Sequence, residues 1–180
     1  FVDEELQQHS SLTAINSINW ARLIAQVVYY FWSYLKIDKK EINFIVPSGN
    51  FGNVFSAYVA KKMGLPINKL HIATNQNDIL HSSINHGFMK KNAVKQTYSP
   101  SMDIQISSNF ERQLFECAGR ESEVIKNLFQ EFSKNNSYTL DKNILDNLQS
   151  IYSTNAVNDD ETLSTIKQIN KQYKYLADPH

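Results

Sequence analysis

From Trp20 through Leu23, Ile24, Val27, Val28 and Phe31 to Leu35, apolar residues recur at three- and four-residue spacing, giving one broad apolar helix face. Asn16-Ser17-Ile18-Asn19 supplies capping side chains ahead of that helix. Tyr29, Tyr30, Trp32 and Tyr34 spread aromatic bulk around its other sides, which predicts a core helix covered on most faces. Its polar face lacks the Lys and Arg clusters of a membrane-surface helix. Ile42-Asn43-Phe44-Ile45-Val46 then reads as a buried strand, and turn residues from Pro47 to Gly52 interrupt it. Helical spacing resumes from Val54 to Met63, with Gly64 as its C-cap. Pro66 prevents continuation, and Leu70-His71-Ile72-Ala73-Thr74 forms a second strand. Strand, turn, helix, strand is a βαβ unit, which predicts a parallel sheet with a right-handed crossover.

Further along, the pattern predicts a helix at Ile79–His86 stopped by Gly87, a strand over residues 93–98, and helices at Phe110–Cys117, 121–133 and 140–151. A short strand is expected at Ala156-Val157. Asp159, Asp160 and Glu161 give a final helix, reaching Tyr173, an acidic start that the macrodipole favours. The stretch after Phe110 is more polar and more helical, and reads as a covering region.

Composition narrows the function classes. Of 180 residues, 42% are hydrophobic and 20% charged, ordinary values for a soluble globular protein. The 18 basic and 18 acidic side chains cancel, so no bulk field recruits nucleic acid or an anionic membrane. Cys117 is the sole cysteine, which excludes an internal disulfide and suits a reducing, cytoplasmic setting. The most apolar run, residues 23–35, is broken by Gln26 and Ser33 and is too short to span a bilayer. The chain opens on Phe1 and stops at Asp178-Pro179-His180, where a helix would begin. It is therefore expected to be truncated at both ends, with poor solubility as an isolated piece.

No metal site is expected. His81 and His86 lie five apart without accompanying ligands, and the 159–161 carboxylates are explained by the helix start. Cys117 reads as a small buried residue, and the aromatics from Tyr29 to Tyr34 as packing. The segment with chemistry in it is Pro47-Ser48-Gly49-Asn50-Phe51-Gly52-Asn53, between a strand and the helix it feeds. Two glycines permit positive φ and close backbone approach; Asn50 and Asn53 tolerate left-handed geometry, and Asn53 can cap the helix. Consecutive N–H groups at a helix N-terminus make a phosphate cradle, with a plain tight turn as the alternative. No Lys-Ser/Thr pair follows, so this is neither a nucleoside-triphosphate P-loop nor a GxGxxG fingerprint.

That heptapeptide resembles the cofactor-phosphate loop of the threonine synthase family, fold type II pyridoxal-phosphate enzymes related to the tryptophan synthase β-like group. Asn16-Ser17-Ile18-Asn19 with Ala21-Arg22-Leu23 resembles the family's asparagine-rich helix start. Ala73-Thr74-Asn75-Gln76-Asn77-Asp78 resembles its strand-end segment, and Asp178-Pro179-His180 the start of a later helix.

The resemblance implies an α/β, three-layer parallel-sheet architecture. Residues 1–109 would be part of the cofactor-binding domain with loop 47–53, and 110–180 a mostly helical covering region leading back into it. It implies pyridoxal 5'-phosphate as cofactor, O-phospho-L-homoserine as substrate, and threonine and phosphate as products. Ser48, Gly49, Asn50, Phe51, Gly52 and Asn53 would hold the cofactor phosphate, and Asn16, Ser17, Asn19 and Arg22 are substrate-side candidates. Arg22 has a solvated surface charge as its plain alternative. Asn75, Asn77 and Asp78, at a strand's carboxyl end, are either ligand-facing or helix-capping. The family's aldimine lysine lies upstream of this stretch, so no catalytic residue is assigned and the chain alone is expected to be inactive. The alternatives are another lyase of that fold, such as a dehydratase or sulfhydrylase, and a non-catalytic phosphometabolite-binding domain.

Overall fold

The computed structural model describes residues 4–9, 16 and 18–180. Strand β1 (Ile42–Pro47) pairs parallel with β2 (Ile67–Thr74), and β2 pairs parallel with β5 (Tyr152–Ala156), giving one sheet in the order β1-β2-β5. The central strand is the most buried one: Leu70 and Ile72 are fully buried, each stabilising the fold by roughly 1.5–3 kcal/mol. Helix α3 (Gly52–Lys62) connects β1 to β2, the predicted βαβ unit, and Gly64 follows its end at φ 102°.

Helix α2 (Trp20–Leu35) packs on α3 through Leu23, Val27 and Tyr30. The expectation of a helix covered on most sides is corrected here. Ile24, Val28, Tyr29, Trp32 and Leu35 are exposed, because α3 and β1 occupy one side only. β1 is likewise not fully buried: it is an edge strand, and Ile45 is 73% exposed.

The remaining helices are α1 (Glu4–His9), α4 (Ile79–His86), α5 (Phe110–Cys117), α6 (Ser122–Asn135), α7 (Lys142–Ile151) and α8 (Asp159–Tyr173); α7 packs on α4 and α5, α5 on α6, and α4 and α7 on the sheet. α8 starts in a capping box between Asn158 and Glu161. The strand expected near Ala156-Val157 begins earlier, at Tyr152, and belongs to the main sheet. A two-stranded antiparallel ribbon, β3 (Phe88–Lys90) with β4 (Ser137–Thr139), was not foreseen; three residues are too few to show a period.

The strand expected over 93–98 is a loop. Side chains take its backbone groups in place of a ladder: Lys95 N–H donates to Asn77 Oδ1 at 2.9 Å, and Thr97 N–H to Asp103 Oδ2 at 3.0 Å. Among the described residues, no helix is long and apolar enough to cross a membrane, and no three His, Cys, Asp or Glu side chains gather as a metal site.

Candidate functional site

The loop after β1 turns on Phe51 rather than on a glycine. Phe51 has φ 62° and stands at the N-cap of α3, while neither Gly49 nor Gly52 takes positive φ. A non-glycine residue in that region costs about 1–2 kcal/mol and needs tertiary support. The support is visible: Phe51 is wholly buried, its ring centroid 5.1 Å from Phe110 and 5.5 Å from Tyr152. Gly49 is required for space. A Cβ there would meet Ile104 Cδ1 at 2.8 Å and Met102 Cα at 3.3 Å.

Asn53 does not cap α3, correcting that expectation, because the helix has already begun at Gly52. Its side-chain oxygen instead receives the Tyr30 hydroxyl, and its amide donates to Gln26 Oε1 at 3.4 Å. Ser48 N–H donates to the Ala73 carbonyl at 3.0 Å, stitching the loop to β2. The Asn50 carbonyl accepts from both the backbone and the side-chain amide of Asn109, each at 3.1 Å. Among the described residues, the backbone N–H groups of Gly49, Asn50, Phe51, Gly52 and Asn53 have no intramolecular acceptor. Five successive open donors at the start of an eleven-residue helix are the kind of group an anion can accept from.

Asn19 is the N-cap of α2, its side chain accepting from Ala21 N–H at 2.9 Å. Asn16 is exposed, and its side chain accepts from Ile18 N–H at 3.0 Å, closing a turn. Arg22 is exposed in the first turn of α2, and Ser17 lies outside the described residues. α2 connects this segment to the loop: Ser56 Oγ, on α3, donates to the Leu23 carbonyl at 2.9 Å, and Tyr30 holds Asn53.

Asn75 and Asn77 prove to be organisers. Asn75 Nδ2 donates to Asp103 Oδ1 (2.8 Å) and Thr97 Oγ1 (2.8 Å), and Asn77 Nδ2 to the Lys95 carbonyl (2.9 Å). Asp78 occupies the N-cap position of α4 without a side-chain cap bond. A cavity of about 300 Å³ opens at the carboxyl ends of the three parallel strands, where Pro47, Thr74, Asn75 and Val157 face Thr162, Thr165 and Asp178-Pro179-His180. Ligands of open α/β sheets bind at that edge. The cavity reaches Pro47 but not Gly49 to Asn53.

Reading the sequence missed Asn109, Arg112, Tyr30 and Asp103. Ser107-Ser108-Asn109 before a helix looks like ordinary capping, and only the fold shows Asn109 turned to Asn50.

No family model matches the chain. Threonine synthase of Saccharomyces cerevisiae is 42% identical over 198 residues, covering all of this chain and 38% of the yeast protein. That of Pseudomonas aeruginosa is 38% identical over 182 residues, covering all of this chain and 39% of its own length. A pyridoxal-phosphate-bound threonine synthase from Brucella melitensis superposes with a TM-score of 0.96 at 46% identity, over 99% of this chain and 39% of the other.

The chain belongs to the threonine synthase family. It has the family's fold type II α/β architecture, and the crystal structure of the yeast threonine synthase matches it with a TM-score of 0.92 at 42% identity. The chain spans about two fifths of the length of the threonine synthases it matches.

Proposed function

We propose that the protein carrying this chain converts O-phospho-L-homoserine and water to L-threonine and inorganic phosphate, with pyridoxal phosphate as cofactor, in the cytoplasm. The observation that carries the reading is the loop itself: five open amides at a helix N-terminus, inside a fold shared at 46% identity with a pyridoxal-phosphate-bound threonine synthase. The residues fit a phosphate group. Segment 47–53 has no acidic side chain, Ser48 adds a hydroxyl, and the Ser107 hydroxyl, two residues before Asn109, is buried without a partner among the described residues. Ser48, Gly49, Asn50, Phe51, Gly52 and Asn53 would hold the cofactor phosphate, chiefly through backbone N–H groups. When bound, pyridoxal phosphate supplies an electron sink for negative charge developing on substrate carbon.

On the substrate side, the planar fork of Arg22 suits the phosphate of an anionic substrate, and Asn16, Ser17 and Asn19 add hydrogen bonds that orient it. Asn19 is held as the N-cap of α2, with its N–H bonded to the Asn16 carbonyl and Arg22 in the helix's first turn, so less ordering of these three is left to binding. Residues 1–109 would be part of the cofactor-binding domain, and 110–180 a mostly helical covering region that leads back into it through β5. No lysine of this chain is assigned to the covalent role. A dehydratase, a sulfhydrylase or a non-catalytic phosphometabolite-binding domain has no support in the yeast, Pseudomonas and Brucella proteins compared above, which are threonine synthases.

The test is phosphate release from O-phospho-L-homoserine by the full-length protein, with and without pyridoxal phosphate. Cofactor-dependent release with threonine as co-product is expected. No release would overturn the assignment and leave the loop as a general anion site.

A further inference from the structure

Helix α5 begins against both candidate binding segments at once. Asn109 occupies its N-cap position, yet the side chain makes no bond to its own helix. A capping Asn is worth about 1 kcal/mol to a helix, and here that contribution is forgone. The fully buried side chain instead donates to the Asn50 carbonyl at 3.1 Å, alongside its own backbone N–H at 3.1 Å. Because the peptide unit is planar and trans, fixing the Asn50 carbonyl also fixes the opposite direction of the Phe51 N–H. That N–H is one of the five open donors.

Three residues on, and so on the same helical face, Arg112 reaches the other segment. Its Nη2 donates to the Ile18 carbonyl at 2.7 Å, and its guanidinium lies 5.4 Å from the centroid of the Trp20 ring. Holding the Ile18 carbonyl fixes the Asn19 N–H, which closes the turn onto the Asn16 carbonyl at 3.0 Å. The helix is a firm base, since Phe110, Gln113 and Leu114 are buried and Gln113 Oε1 accepts from the Tyr152 hydroxyl at 2.7 Å. No carboxylate pairs with Arg112 among the described ion pairs, so its reach is spent on a backbone and a ring.

We propose that Asn109 and Arg112 are positioning residues that set the cofactor loop and the substrate-side segment relative to one another across the first turn of α5. This rests on the reading that 48–53 holds the cofactor phosphate and that Asn16 to Arg22 meets the substrate. The two grips are separable: Asn109 acts on the cofactor, Arg112 on the substrate.

The experiment uses the full-length protein with Asn109→Ser, which keeps a helix-capping side chain but cannot reach Asn50, and with Arg112→Ala and Arg112→Lys. Pyridoxal phosphate is titrated onto each apoprotein by its absorbance, KM and kcat for O-phospho-L-homoserine are measured at saturating cofactor, and thermal midpoints are recorded. Asn109→Ser is expected to weaken cofactor binding about tenfold while KM holds within about threefold. Arg112→Ala is expected to raise KM about tenfold at nearly constant kcat and cofactor affinity, with Arg112→Lys in between. The proposal is overturned if both constants stay near the wild-type values, or if they shift together in step with a fall in thermal midpoint. A wild-type protein that binds no pyridoxal phosphate would overturn the cofactor reading itself.

Discussion

The Tyr30 hydroxyl hydrogen-bonds the side-chain oxygen of Asn53 and lies 3.1 Å from its backbone carbonyl. The loop is thus tied to α2 by one buried phenol, and burial raises that phenol's pKa well above its ordinary 10.0, so it stays a neutral donor at any working pH. Tyr30→Phe keeps the edge-on ring contact with Phe44 at 4.8 Å and removes only the hydroxyl. The full-length variant should lose about 0.5–1.5 kcal/mol in urea unfolding, the usual net worth of one hydrogen bond to a half-buried acceptor. A loss below about 0.5 kcal/mol would mean that Asn53 holds its place without Tyr30.

Phe51 joins two opposing effects at one position. Its ring fills the space between Phe110 and Tyr152, and its backbone sits in a region that disfavours any side chain. Phe51→Ala should cost about 3–5 kcal/mol through the cavity it leaves. Phe51→Gly removes one more carbon yet relieves the left-handed backbone, so it should cost less than Phe51→Ala, by up to about 1 kcal/mol. Denaturant midpoints of the two variants give the order. Alanine proving the milder change would show that the backbone at Phe51 carries no strain.

How much of this could be read from residues alone follows the range of the interactions. α4, α5 and α8 were expected at the bounds observed, because caps and apolar spacing are local. The loop after β1 was legible as a strand-to-helix turn with two glycines. Which residue takes the left-handed turn was not, since Phe51 is held there by Phe110 and Tyr152, 59 and 101 positions further on. The 93–98 segment looked like a strand, but its backbone partners are the side chains of Asn77 and Asp103, which no periodicity announces. Asn109 and Arg112 escaped notice for the same reason: their partners, Asn50 and Ile18, lie far away in the chain.

Gly49 is explained by space, and space can be exchanged. Gly49→Ala pushes a Cβ against Ile104 Cδ1 and against the Met102 backbone. The variant should be about 1–3 kcal/mol less stable than wild type, as overpacking typically is. Ile104→Val removes the Cδ1 atom nearest that Cβ. The pair Gly49→Ala with Ile104→Val should recover part of the loss, with a coupling of about 0.5 kcal/mol or more in a double-mutant cycle. The Met102 Cα at 3.3 Å stays in the way, so recovery is expected to be incomplete. Strict additivity would place the origin of the defect elsewhere.

Asp103 makes the loop that follows β3 sensitive to acid. Burial alone would raise its carboxyl pKa, but hydrogen bonds from the Thr97 hydroxyl (2.7 Å), the Thr97 N–H (3.0 Å) and the Asn75 amide (2.8 Å) favour the carboxylate and bring it below the ordinary 3.8. A carboxyl with a lowered pKa in the folded state stabilises the fold at every pH above its unfolded value. That contribution is lost as pH falls through the folded value. Asp103→Asn keeps the size of the side chain but sets an amide where the carboxylate accepted from four donors, the Asn77 amide at 3.0 Å being the fourth. The variant should therefore be less stable than wild type near neutral pH, and the gap should narrow once the pH drops below the ordinary carboxylate value of 3.8. Urea unfolding of both full-length proteins across that range checks the sign, since the other carboxylates contribute equally to each and cancel in the difference. A gap that is the same at neutral and acid pH would show that geometry, not charge, is what Asp103 gives to the loop.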